Sequence, residues 1–177
     1  MDLSTKMATF PRHGHLVMGF FPNILELFKN NEVYPLQEEQ ILVYKGKRYS
    51  GEESLIDVEK IVDMQKFRGI AIEELGTIQP DFLFFKDNAY VQSLNTLKTA
   101  GVPDLVVEVW SESNDLEERE FKYRVYSSSG KCEHWYLTQN SNEVECWLGK
   151  EKLKTQTLKR ILKTSKGVEF DLMYLAL

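Results

Sequence analysis

The sequence lacks the features that mark exported, membrane-spanning and zinc-binding proteins. It contains only 2 cysteines in 177 residues, and no apolar run approaches the roughly 20 residues that a membrane-spanning helix needs. Its first residues, MDLSTKMATFPRHG, lack the apolar core of a secretory signal. We therefore expect a cytoplasmic protein with no membrane partner.

The two cysteines are not expected to pair. Cys132 and Cys146 lie on two predicted arms of one hairpin, whose turn is centred on residues 140–142. A turn at that point places Cys146 near Leu137 and not opposite Cys132, so a reducing compartment fits. Neither cysteine belongs to a CxxC pair, which argues against a structural zinc site.

The chain also lacks an overall excess of positive charge. Its formal net charge of −5 argues against a module that binds nucleic acid by bulk electrostatics, although a nuclease with a local basic patch stays open. Basic residues concentrate near the C-terminus: Lys150, Lys152, Lys154, Lys159, Arg160, Lys163 and Lys166. The simplest interpretation of this cluster is a solvated face.

Composition and patterning predict one folded domain that spans residues 1–177. A hydrophobic share of 42% and a charged share of 28% are ordinary for a soluble globular protein, and we find no repeat, linker or low-complexity segment. Helical and extended patterns alternate along the chain. That order predicts an α/β (α+β) fold in which helices flank a mixed central β-sheet.

Local patterns predict most of the elements. Large apolar residues recur at helical spacing over 13–30, which predicts a first helix. A second helix is predicted to start at Asn114 or Asp115 and to run to about Ser127, with Gly130 as its end signal. Residues 90–94, inside the polar stretch 86–99, suggest a short helix, and 45–47 and 100–103 suggest turns. Residues 69–72 look extended, and the rest of 48–78 has no clear pattern. Strands are predicted at 33–36, 40–44, 82–85, 105–110, 134–137, 144–148, 156–163 and 168–172.

Two Pro-Asp dipeptides each open a strand-like apolar run. Asp81 precedes the run at 82–85, and Asp104 precedes the run at 105–110, which contains Glu108. If these runs are neighbouring antiparallel strands, Asp81 lies close to Glu108 and Asp104 lies at the far end. Two adjacent carboxylates repel each other, and a divalent cation bound by their oxygens would relieve that repulsion.

Glu108 is the most informative of these acids, because it stands inside Val-Val-Glu-Val-Trp. A buried carboxylate must be paired, hydrogen-bonded or metal-bound. Besides a metal site, a buried salt bridge with Lys122 or Arg119 would satisfy it. Asp81 and Asp104 also have simpler interpretations as turn residues, and Lys122 as a surface lysine.

Together these residues suit phosphodiester hydrolysis. Carboxylates from Asp81 and Glu108 would hold a divalent cation, which activates water and offsets phosphate charge. Lys122, on the helix that follows the second strand, would orient the water or stabilise the developing negative charge.

The residues that carry this hypothesis resemble a known family. The segment GVPDLVVEVWSES, then Lys122 four residues before Tyr126, then Gly130 and EHWYL, is similar to the Uma-type putative restriction endonuclease family of the PD-(D/E)XK nuclease superfamily. That family has roughly PDLVVEVLSPS, a helix with a lysine four before a tyrosine, a glycine and EYWLVD. The early segment HGHLVMG and the closing GVEFDLMYLAL also resemble its ends, so the likeness spans most of 13–177.

The resemblance implies a restriction endonuclease-like core and a Mg²⁺-dependent endonuclease acting on DNA, with Mn²⁺ as a substitute ion. It carries Asp81 and Glu108 over as metal ligands and Lys122 as the catalytic lysine. The superfamily's lysine usually stands two residues after the acid, where this chain has Trp110. Residues 45–78 look like an insertion.

Two other hypotheses stay open. Trp110 at the usual lysine position motivates a catalytically degenerate scaffold that acts as a binding or assembly module. An enzyme acting on another substrate has less support, since the chain has no nucleotide-binding glycine loop and no Ser/His/Asp pattern, and no small-molecule cofactor is expected. Restriction-type nucleases often cut two strands as symmetric pairs, so a homodimer is expected.

Overall fold

The computed structural model describes residue 16 and residues 33–36, 40–44, 53–56, 75–86, 90–92, 98–111, 114–138, 140–159 and 161–172. Leu16 is helical and buried, as the spacing predicts. The rest of the predicted helix over 13–30, the turn at 45–47 and the extended segment at 69–72 lie outside the described residues.

Fourteen strands and one helix are described in this part of the chain. They are β1 (Val33–Leu36), β2 (Gln40–Tyr44), β3 (Ser54–Leu55), β4 (Leu75–Ile78), β5 (Phe82–Lys86), β6 (Tyr90–Gln92), β7 (Lys98–Gly101), β8 (Leu105–Trp110), α1 (Leu116–Ser127), β9 (Glu133–Thr138), β10 (Glu143–Leu148), β11 (Glu151–Lys152), β12 (Gln156–Thr157), β13 (Ile161–Lys163) and β14 (Glu169–Asp171).

A seven-stranded mixed sheet forms the centre of the fold. Its strands follow the order β1-β5-β8-β9-β10-β11, and β12 also pairs with β10. β8 and β9 are parallel, whereas β5 and β8 are antiparallel with Phe82 opposite Val107. The predicted α+β class with a mixed central sheet is confirmed, and so is the antiparallel pairing of the two strands that follow the Pro-Asp dipeptides.

The side chains of β8 alternate between two cores, one on each face of this sheet. Leu105, Val107 and Val109 join a cluster with the end of the chain, including Phe170. The opposite face carries a second cluster, formed with α1 and the second sheet. Its buried members are Ile41, Val43, Leu55, Ile78, Leu83, Phe85, Val106, Trp110, Val125, Tyr126, Cys132 and Tyr136. Glu108 has the same parity as Val106 and Trp110, so its carboxylate belongs to the face that α1 covers.

The second sheet corrects two of the sequence-based predictions. It has five strands, in the order β3-β2-β7-β6, and β4 also pairs with β2. The predicted short helix at 90–94 is wrong because Tyr90–Gln92 is β6, and the predicted turn at 100–103 is wrong at its start because Lys98–Gly101 is β7. Each of these two strands pairs with the other, and such pairing overrides weak local preferences.

α1 begins where its sequence predicts. Asp115 is the N-cap, and its carboxylate accepts a 3.2 Å hydrogen bond from Glu117 N, which satisfies one of the free N–H groups of the first turn. The helix ends at Ser127 with Ser128 as the C-cap. Gly130 therefore lies beyond the helix end, and the prediction that it terminates α1 is wrong.

The C-terminal hairpin confirms the expected free cysteines. Cys132 and Cys146 are both buried and unpaired, although Cys146 lies opposite Trp135, two residues from the predicted register. The strand predicted at 156–163 is two separate strands, β12 and β13, and β13 pairs with β14. In the described part of the chain, no helix is long and apolar enough to cross a membrane.

Candidate active site

The pairing of β5 with β8 brings two carboxylates together. Phe82 lies opposite Val107, so extending the register by one residue places Asp81 opposite Glu108. Asp81 Oδ2 accepts a 2.7 Å hydrogen bond from Val109 N. The predicted proximity of Asp81 and Glu108 is therefore confirmed.

Glu108 is buried but has a partner for each carboxylate oxygen. Its side chain is only 1% exposed. The Tyr126 hydroxyl donates a 2.6 Å hydrogen bond to Oε1, and Lys122 Nζ donates a 2.9 Å hydrogen bond to Oε2. This arrangement meets the requirement that a buried charge be paired and hydrogen-bonded.

α1 supplies both partners from one face. Lys122 and Tyr126 are four residues apart, and residues at that spacing lie on the same side of a helix. Lys122 Nζ also donates to Gln79 O at 3.2 Å and lies 3.6 Å from a carboxylate oxygen of Glu118. The ammonium is thus fixed between α1 and the start of β5, and the salt-bridge alternative for Glu108 is present in the structure.

Burial dominates the electrostatics of Glu108. Desolvation raises the pKa of its carboxyl from 4.5 to about 7, the Lys122 charge opposes that rise, and the Asp81 charge adds to it. Burial therefore favours the protonated form of this carboxyl compared with an exposed glutamate. A cation placed against it would favour the ionised form.

An open cleft gives access to this pair from the Asp81 side. It has a volume of about 410 Å³, and its walls include Gln79, Asp81, Glu118, Phe121 and Lys122. Asp81 therefore meets solvent, whereas Glu108 is covered by Lys122 and Tyr126.

The donor set fits a hard cation. Mg²⁺ is usually held by one or two carboxylates and keeps several waters. Asp81 lines the open cleft, and Glu108 lies next to it. In the described residues, no group of three or more His, Cys, Asp or Glu side chains could hold a metal. A thiolate or imidazole cage of the zinc type is therefore not formed in this part of the chain.

Comparison with known proteins shows the family of this chain. The family model described as Uma2, putative restriction endonuclease, matches residues 64–172, which is more than half of the chain. The chain belongs to the Uma2 family. The match begins at residue 64, so it does not test the resemblance of earlier residues. It includes residues 64–78 of the insertion predicted at 45–78 and leaves residues 45–63 untested.

A solved structure supports the fold of this Uma2 chain. The chain is similar to the crystal structure of a putative nuclease belonging to DUF820 from Anabaena variabilis. The TM-score is 0.58 and the sequence identity is 10%, over 93% of this chain and 79% of the other. At that identity the likeness shows the fold alone. No curated protein matches. The comparisons support the nuclease assignment and do not favour the non-catalytic alternative.

Trp110 stands where a superfamily lysine was expected, two residues after Glu108. Its ring is buried and stacks on Tyr136, with ring centroids 5.6 Å apart and 10° between the planes. Lys122 Nζ lies 5.4 Å from the centre of the Trp110 ring. In this Uma2 protein the cation beside Glu108 therefore comes from α1.

Asp104 lies outside the site, as predicted. Its backbone N–H donates to Phe84 O at the opposite end of β5, and its carboxylate accepts a 2.6 Å hydrogen bond from Lys166 Nζ. It anchors the loop that contains Lys166. Asp104 therefore cannot serve as a third carboxylate beside Asp81 and Glu108.

His134 is a structural residue on β9. Its Nε2 lies 2.9 Å from Gly149 O and must donate to it, so Nδ1 accepts from the Tyr136 hydroxyl at 2.8 Å. Burial lowers the pKa of the ring to about 4. Both nitrogens of the neutral ring are therefore occupied.

Tyr126 is a residue beside the site to which sequence reasoning gave no role. Its spacing of four from Lys122 entered only as part of the family resemblance, although that spacing places both side chains on one face of a helix. Gln79 carried no such signal, since only its backbone carbonyl contacts Lys122.

Proposed function

We propose that this protein is a Mg²⁺-dependent endonuclease that hydrolyses phosphodiester bonds in DNA, with Asp81 and Glu108 as the metal ligands. One observation carries the proposal: Asp81, at an open cleft, lies next to the buried Glu108, and a fixed ammonium group contacts Glu108. Mn²⁺ is expected to replace Mg²⁺. The family assignment supplies the class of reaction.

A bound cation would supply Lewis-acid activation of water and charge compensation for the phosphate. The residues of the chain would hold the two metal ligands in position. Asp81 is held by Val109 N, and Tyr126 and Lys122 hold the two oxygens of Glu108. Two carboxylates are thereby held in a fixed position before any ligand arrives, which avoids a reorganisation cost during the reaction.

Lys122 is proposed to act on the phosphate. Its ammonium has three N–H donors, of which Glu108 and Gln79 accept two. Beyond these it has only the 3.6 Å ion pair with Glu118, so its third N–H could donate to a phosphate oxygen or to the attacking water, and Lys122 lines the cleft that would admit the substrate. Its positive charge would offset the negative charge that develops on the phosphate.

A homodimer and a cytoplasmic location belong to the same proposal. One site cuts one strand, so two symmetric copies would cut a duplex. Sedimentation of the protein with and without a duplex DNA would test this pairing.

The decisive experiment is a calorimetric titration of Mn²⁺ into the wild type and into Glu108→Gln, Asp81→Asn and Asp104→Asn, followed by a Mg²⁺-dependent assay on plasmid DNA. We expect binding and cleavage to be lost in the first two variants. Asp104→Asn is the matched control, because it removes an acid of the other Pro-Asp dipeptide, and we expect it to keep both properties. Wild-type cleavage that survives in Glu108→Gln would refute the proposed site.

A further inference from the structure

A second cavity lies across α1 from the two carboxylates. Phe121 and Lys122 line the cleft already described, whereas Tyr123 and Arg124 line a larger cavity of about 710 Å³ over β8, β9 and β10. That volume is within the usual range for small-molecule sites.

Aromatic rings form much of its surface. Trp147 is half-buried, and Tyr123 packs edge-on against it with centroids 5.1 Å apart. Trp147 Nε1 donates a 2.8 Å hydrogen bond to Glu145, and the ring lies parallel to His134 within 16°. Lys152 Nζ also lies 5.4 Å from the centre of the Trp147 ring. The indole is therefore fixed in place, and a flat ligand that stacks on it would displace this exposed ammonium.

Charged groups of both signs border the rings. The cationic side chains are Arg119, Arg124 and Lys152, and the acidic ones are Glu120, Glu143 and Glu145. Arg124 Nε is buried and has no hydrogen-bond partner among the described residues. An orphaned guanidinium N–H next to an aromatic surface is a donor that a ligand could satisfy.

We infer that this cavity binds an unpaired nucleobase of the DNA strand held at the carboxylate cleft, an inference that rests on the proposed function for the identity of the polymer. A base would stack on Trp147, accept from Arg124, and donate its amino groups to the carboxylates. A phosphate fits less well because equal numbers of acids and bases line the cavity. An aliphatic ligand would leave the Arg124 donor unpaired.

The two sites are physically connected. Trp110 forms part of the cavity, and its ring centre lies 5.3 Å from the Arg119 guanidinium carbon and 5.4 Å from Lys122 Nζ. Lys122 in turn contacts Glu108. A strand whose phosphate is at Lys122 would thus pass next to the cavity, and the enzyme would favour DNA with unpaired bases at that point.

The test is fluorescence anisotropy with three labelled probes of equal length: single-stranded DNA, the matching duplex, and a single strand of abasic residues. The protein is kept in EDTA, so that neither metal binding nor cleavage contributes. The variants are Trp147→Leu and Arg124→Gln, and the control is Lys150→Gln, which removes an exposed charge outside the cavity. Circular dichroism checks folding, and Arg124→Gln carries the test if Trp147→Leu unfolds.

We expect Trp147→Leu and Arg124→Gln each to weaken binding of single-stranded DNA about tenfold, with less than about twofold change for the duplex and the abasic strand. Equal losses on the abasic strand, no loss on single-stranded DNA, or no wild-type binding to it would overturn the inference. Failure of Mn²⁺ binding or of cleavage would refute the proposed function alone, because this binding test requires neither.

Discussion

The Tyr126 hydroxyl lies 2.6 Å from Glu108 Oε1 and donates a hydrogen bond to it across the interface between α1 and β8. Burial, together with this contact, raises the pKa of Tyr126 well above its usual value, so the hydroxyl keeps its proton. Tyr126 is therefore a permanent donor to a carboxylate that is only partly ionised at neutral pH. The ionisation of Glu108 therefore depends on how α1 packs against β8.

Tyr126→Phe should weaken the protein most where Glu108 is ionised. Removing a hydrogen bond to a charged group costs about 2 kcal/mol, whereas the loss should be smaller at pH 5, where Glu108 is protonated. Denaturant unfolding at pH 5 and pH 8 in EDTA measures both losses. Equal losses at the two pH values would show that the hydroxyl does not support the ionised carboxylate.

Lys122→Gln should leave Glu108 without its cation. Breaking a buried pair by removing one partner is costly, and we expect a loss of about 3 kcal/mol at pH 8 that shrinks at pH 5 as Glu108 takes up a proton. Lys163→Gln is the matched control, because its ion pair with Glu169 is exposed on both sides and should contribute little. Denaturant unfolding at both pH values tests this, and a pH-independent loss in Lys122→Gln would contradict it.

Glu108→Gln should change the slope of stability against pH. The pKa of Glu108 rises from 4.5 to about 7 in the folded protein. As the pH falls, the folded state therefore binds this proton at a higher pH than the unfolded state does. The unfolding free energy gains about 3 kcal/mol as the pH falls from 7 to 4.5. The pKa of His134 falls from 6.5 to about 4 on folding, so its contribution has the opposite sign and similar size.

In the wild type these two groups nearly cancel between pH 7 and pH 4. Glu108→Gln removes one of them, so we expect its unfolding free energy to drop by about 3 kcal/mol over that range. Urea unfolding at several pH values in EDTA gives the slope. Adding His134→Gln should flatten it again, and a flat profile in Glu108→Gln alone would show that the two shifts do not oppose each other.

Gly149→Ala should be clearly destabilising. Gly149 has a φ of +54°, and a Cβ there would lie 2.9 Å from Gly130 Cα. A non-glycine residue in the left-handed region costs about 1 kcal/mol before any clash is counted. Gly130→Ala is the control, since a Cβ added at Gly130 would have no heavy atom within 4 Å. Thermal unfolding should show a lower Tm for Gly149→Ala only, and equal Tm values would contradict the close approach.

The sequence alone determined which two residues would form the carboxylate pair. Side chains alternate along a strand, so an acid among valines fixes which face of β8 it occupies. The two Pro-Asp dipeptides mark the starts of both strands, and one assumption, antiparallel pairing, then places Asp81 beside Glu108 and Asp104 away from it. These inferences need only the period of a strand and a single pairing.

The tertiary structure decided what surrounds that pair. Lys122 and Tyr126 share a face of α1 by sequence, but only the docking of α1 on β8 brings both onto Glu108. Strands β6 and β7 were missed because their conformation depends on pairing with each other and not on local preference. Helix docking and strand pairing join residues distant in sequence, and no local pattern encodes those contacts.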